Sequence, residues 1–203
     1  MLKTSLHSQK NGHSLGINED GSINTTIIPR PPIGIEQQAL PFAEYMKLNG
    51  TGTTSFLING AVTNQDFYVM AKDYDVYINT IVFEISDATA TMNKFGNLTA
   101  LTNGLDFFYF NELQGKYIIE TGLKSNYDFV KLANFEPPFG DTALTNAVGA
   151  SEAYVGVIDL EDVFGLQWGL RLKANSLDRI GFTVKDDITA IDVMNIKVYG
   201  IRV

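Results

Sequence analysis

The chain has 203 residues, 45% of them apolar and 19% charged, with a formal net charge of −8 and no cysteine. That composition is globular and long enough for one substantial core, and it excludes disulfide staples, thiolate metal sites and thiol nucleophiles. Phosphate binding needs clustered Lys and Arg, so the acidic balance argues against nucleic acid and anionic membranes as partners.

The charge is unevenly placed. Residues 1–48 balance Lys3, Lys10, Arg30 and Lys47 against Glu19, Asp20, Glu36 and Glu44, leaving the whole excess to the remainder. The first residues, MLKTSLHSQKNGHS, lack the apolar stretch of a signal peptide, and no 18-residue apolar run predicts a membrane span. The Asn-x-Ser/Thr triplets at Asn24, Asn49 and Asn97 read as polar turns.

The same 48 residues hold both histidines and four of the six prolines. Pro29, Pro31 and Pro32 keep the backbone extended and out of helix interiors. Residues 35–48 have some helical composition, but Pro41 limits them to a short helical turn at most. An extended arm over 1–48, β-like near 23–28, is therefore predicted. Within it, Asn18-Glu-Asp-Gly-Ser22 resembles the start of a calcium loop. Such a loop needs oxygen donors at alternate positions and a Glu six residues beyond the Gly. Position 27 is Ile, and Gly16 and Ile17 precede the motif, so the residues favour a turn.

Beyond the arm, strand follows strand. Short strands are predicted at Ser55–Val62 and Asp66–Lys72. The run Asp75–Ile85 is apolar on both faces, as in the middle of a packed sheet. After a polar loop, Leu105–Phe110 and Lys116–Thr121 form a hairpin around Gly115. Ser125–Phe135 is ambiguous, with Ser125 and Asp128 spaced as at a helix start; a long loop through Ala150 follows. Leu166–Lys173 and Arg179–Lys185 alternate with period two, each with one dry and one wet face, and Trp168 belongs to the dry one. The last strand carries Met194, Ile196 and Val198 on one face, then shifts to Ile201 and Val203; Gly200 beside the shift predicts a β-bulge. Eight or nine strands with almost no helix make an all-β, antiparallel β-sandwich, jelly-roll-like, over 49–203.

Catalytic signatures are weak throughout. His7 and His13 lie in the arm and are the only bases available to a serine triad, for which no Gly-x-Ser-x-Gly elbow exists. No Gly-rich loop opens a helix to bind a nucleotide. Asp73, Asp75, Glu84, Glu120, Asp186 and Asp187 are acids a glycosidase would pair across a cleft, and Asp186-Asp187 most simply closes a turn. In Phe107-Phe-Tyr-Phe110, alternate rings face opposite sides. One pair is core; the other is a sugar platform, a packed second face or a subunit interface. No cofactor and no metal is expected.

Several blocks carry a resemblance: Leu15–Asn24 in the arm, then Asp87–Gly96, Leu101–Gly104, Leu123–Asn126, Trp168-Gly-Leu-Arg171, Arg179 and Asp186-Asp187. Together they resemble virion-associated proteins of tailed bacteriophages, small β-sandwich or jelly-roll subunits whose N-terminal extensions lie along neighbouring subunits. The resemblance covers roughly 14–28 and 80–203 and contains no catalytic motif. It implies a structural, non-enzymatic virion protein, assembled in the host cytoplasm. That protein would dock on the capsid or head–tail region as a homo-oligomer and decorate or stabilise the particle. Its partners would be other virion proteins. The arm would act through Ile17, Ile23, Ile27 and Ile28, laid against a neighbouring sheet. The alternative is a carbohydrate- or receptor-binding module using exposed rings among Tyr68, Tyr109, Tyr117 and Tyr127, with glycan on an outer face; a glycosidase comes behind it.

Overall fold

The structure of the chain, a computed structural model, describes residues 6–8, 13–17, 23–27, 39–87, 93–96, 98–132, 152–165 and 168–203. The chain divides into two units, Met1–Ala39 and Leu40–Val203. In the first, β1 (Leu6–Ser8), β2 (His13–Ile17) and β3 (Ile23–Ile27) form an antiparallel sheet in chain order. The arm thus has a sheet of its own, and its β-like piece is β3.

The second unit begins with β4 (Leu40–Tyr45), β5 (Lys47–Leu48), β6 (Gln65–Met70) and β7 (Val76–Asp87). A hairpin of β8 (Leu105–Asn111) and β9 (Gly115–Leu123) leads into helix α1 (Asn126–Leu132). Then come β10 (Glu152–Asp159), helix α2 (Leu160–Phe164), β11 (Leu170–Leu172), β12 (Arg179–Val184) and β13 (Val193–Arg202). One sheet runs β10-β7-β13-β4, with β11 also on β7; the other runs β5-β6-β12-β8-β9.

The antiparallel pairs are nested: β8 with β9, β7 with β10, β6 with β12, and β4 with β13. A long hairpin rolled up so that successive pairs fall in alternate sheets is a jelly roll. The expected all-β sandwich is therefore what the chain forms.

Alternation puts one row of each strand into a shared core. Phe67, Phe107, Ile180 and Phe182 enter it from the second sheet, and Ile81, Phe83, Met194, Ile196 and Val198 from the first. Phe182 stacks on Phe107 with ring centroids 4.8 Å apart. Helix α1 plugs the sandwich: the Phe129 ring lies 5.0 Å from Phe83 in one sheet and 5.9 Å from Phe182 in the other. The segment that the sequence left ambiguous is helical over Asn126–Leu132, and a capping box starts it. The Ser125 N–H donates to Asp128 Oδ2 at 2.9 Å, and the Asp128 N–H returns to Ser125 Oγ at 3.4 Å.

Several expectations change. The boundary lies at 39/40 rather than 48/49, because β4 pairs with β13 and β5 with β6. Pro41, which breaks a helix, is tolerated because β4 is an edge strand. Ser55–Val62 is no strand; within it only Asn59 bridges, to Asp187. Of the strand expected over Leu166–Lys173, Leu170–Leu172 forms β11, Leu166 and Gln167 lie outside the described residues, and Trp168 is 36% exposed. At Gly169 the backbone turns through φ 76°, and a Cβ there would stand 2.0 Å from the Ile78 carbonyl oxygen. Trp168 thereby leaves the alternation that buries Leu170 and Leu172. The register shift at Tyr199/Gly200 is the expected bulge.

Candidate functional site

In the arm, the register pairs Leu6 with Leu15, Ile17 with Ile23, and His13 with Ile27. In the period-two register of the backbone, Leu6, Ser8, His13, Leu15, Ile17, Ile23, Thr25 and Ile27 have one parity, and His7, Ser14, Gly16, Asn24 and Thr26 the other. Three of the four expected arm residues, Ile17, Ile23 and Ile27, thus share a parity; Ile28 and the turn Asn18–Ser22 lie outside the described residues. Among the described residues, no group of three or more His, Asp or Glu is placed to hold a metal ion.

The acidic candidates are dispersed and mostly engaged. Asp75 accepts from Arg171 and from the Ala174 N–H; burial alone would raise its pKa, but these donors outweigh it and hold the carboxyl below the usual range. Asp186 is buried and accepts from the N–H groups of Asn103 (2.9 Å) and Gly104 (2.6 Å), tying one loop to the end of β12. Asp187 binds Asn59 and Thr189, and the Thr189 donors lower its pKa. Asp75 contacts the segment before β12 and Asp186 follows that strand, so about six strand residues, roughly 20 Å, separate them. Glu84 is exposed on an outer face, and Asp73 and Glu120 are exposed elsewhere. No cleft pair of acids is assembled from these residues.

A carboxylate that sequence reading passed over is Asp178, which is buried. It accepts from the N–H groups of Glu112 (2.9 Å) and Lys173 (3.3 Å), cross-linking the β8–β9 turn to the loop before β12. Its signal was the Asn-Ser-Leu-Asp spacing of a turn, which does not reveal a distant partner.

The aromatic run resolves as a packed second face. Phe107 is core, whereas Phe108 points to the outer side of the second sheet and is nevertheless fully buried. Gly181 lies directly across from it on β12, where a Cβ would meet the Phe67 carbonyl oxygen at 2.0 Å. Lys116 from β9 lies over the ring, with its Nζ 4.0 Å from the centroid, and donates to Thr183 Oγ1 at 2.8 Å. Arg179 covers Phe110 at 3.9 Å and also faces Tyr68 at 5.2 Å. Beside them, Asp106 accepts from Lys185 and Thr121, each at 2.7 Å. This roof makes β12 dry on both faces, where one wet face was expected. The four tyrosines of the glycan alternative do not converge: Tyr109 packs on the core and Tyr68 lies under Arg179. Tyr117 and Tyr127 are exposed, but six β9 residues, about 20 Å, intervene between Tyr117 and the strand's end.

The first sheet presents a different outer face. Its register aligns Val157, Val82, Lys197 and Tyr45 across β10, β7, β13 and β4, with Thr80, Tyr199 and Ala43 in the next row. Val157, Tyr45 and Tyr199 are exposed at 51%, 43% and 38%. The Lys197 ammonium sits 5.3 Å from the Tyr45 ring and 4.9 Å from the Tyr199 ring. Central β7, expected to be covered on both sides, is open on this one. Among the described residues no helix is long and apolar enough to cross a membrane. Comparison of the chain with protein-family models, curated proteins and solved structures finds no match.

Proposed function

We propose that this chain is a structural protein of a tailed-bacteriophage virion, docking on the capsid or head–tail region and working by interface burial rather than by chemistry. The observation that carries the reading is the arm's own three-stranded sheet, in whose backbone register every Leu and Ile of β1, β2 and β3 has the same parity. A three-stranded sheet of this size is marginal unless it packs on another surface. The jelly-roll body suits the reading, since it offers broad outer faces for neighbours. The blocks that resemble virion-associated proteins add to it. The arm and the open face of the first sheet would give one small chain two kinds of contact, and many copies make weak contacts sufficient.

A carbohydrate- or receptor-binding module has less support, because the rings it would use are roofed or far apart. Deletion of residues 1–39 tests the proposal. The shortened chain should still unfold cooperatively, yet be depleted at least about tenfold from purified virions, as measured by mass spectrometry. Equal incorporation of the two forms would overturn the role of the arm. Absence of the full chain from virions would overturn the virion assignment.

A further inference from the structure

The outer face of the first sheet joins apolar exposure to unspent charge. Glu84 on β7 and Lys197 on β13 both lie on it, two register positions apart: Glu84 is across from Asn195, and Lys197 from Val82. Glu84 is exposed and, among the described residues, has no cation paired with it. Lys197 touches two tyrosine rings and, among the described residues, pairs with no carboxylate. Asp159 at the rim of the face is occupied, accepting from the Glu161 N–H at the start of α2.

We propose that this face is a two-fold contact between two copies of the chain, with Lys197 of each facing Glu84 of the other. The inference rests on reading the chain as an assembly subunit. A molecule of net charge −8 repels its own copies over most of its surface, but here the central charges are one cation and one anion. A two-fold axis lying between two stacked sheets sets different residues opposite each other. Two ion pairs then form at once, on either side of Val82, with Tyr45 and Tyr199 flanking them. Sheets stack face to face at about 10 Å, a spacing these side chains fill. A glycan fits less well, because Lys197 already occupies the tyrosine ring faces.

The test is sedimentation velocity on the full chain at roughly 0.1 mM, where a dimer of micromolar Kd is almost fully formed. The natural chain should be dimeric. Lys197→Glu and Glu84→Lys should each weaken the dimer at least about tenfold, because like charges then meet. The double exchange should restore it to within about threefold of the natural value. Val157→Asp, at an exposed edge-strand position, should also dissociate it. Circular dichroism and melting confirm that every variant is folded. A monomeric natural chain, unaffected single variants or an unrestored double variant would each overturn the contact. A monomeric chain that still enters virions would overturn this contact while sparing the virion proposal.

Discussion

Lys116→Ala asks whether the second sheet's outer face is sealed as the geometry indicates. The substitution removes an ammonium 4.0 Å from the Phe108 centroid, worth about 0.5–1 kcal/mol at a partly exposed site. It also removes a 2.8 Å hydrogen bond to Thr183 Oγ1, worth about 0.5–1.5 kcal/mol. The 3.4 Å pair with Asp66 is between side chains about one-third exposed and adds little, about 0–1 kcal/mol. Together these give a loss of about 2 kcal/mol, all of it made by the ammonium; Lys116→Met keeps an apolar stem across the ring but no ammonium and should lose nearly as much. Guanidinium unfolding of the full chain at neutral pH, followed by fluorescence, measures both. A loss below about 0.5 kcal/mol for Lys116→Ala is the scatter of an ordinary surface site. It would show that other groups bury Phe108 and that the roof argument is wrong.

Asp106→Asn addresses acid stability. Burial pushes the Asp106 carboxyl up, but Lys185, Thr121 and the Gly122 N–H outweigh that and hold it below the ordinary range. A depressed folded pKa contributes stability above the unfolded value, near 3.9, and loses it as pH falls through the folded value. The variant should therefore show a flatter fall in Tm below about pH 4; curves parallel to the natural chain's would count against this. Gly200→Val places a Cβ 1.9 Å from the Tyr77 carbonyl oxygen at the bulge and should cost more than about 3 kcal/mol. An unchanged melting temperature would contradict it.

Fold class was legible because most strands obey period two and Gly115 and Gly200 sit where turn and bulge chemistry want them. Three elements were hidden for specific reasons. In β10 the inward position opposite Phe83 is Gly156, where a Cβ would meet the Phe83 ring at 2.0 Å; the ring fills the space that an apolar side chain would have advertised. In β4, Pro41 and acidic Glu44 obscure a strand that only β13 completes. At Trp168, a single glycine turn breaks an alternation that looked continuous. The outer faces were harder to read. Alternation says that Phe108 and Lys197 both point outward, but not that Lys116 roofs the first while the second lies on open sheet. That difference depends on strands brought together from distant parts of the chain.

The nested pairing also sets an order of events during synthesis. The β8–β9 hairpin closes across a three-residue turn, whereas Leu40 meets Arg202 only after more than 150 further residues have been made. Because β13 lies between β7 and β4, the first sheet lacks its middle until Val193–Arg202 has been made. Lys197 and Tyr199 come from that last strand, and Tyr45 from the edge strand it anchors. A chain that stops short of β13 therefore cannot display this face.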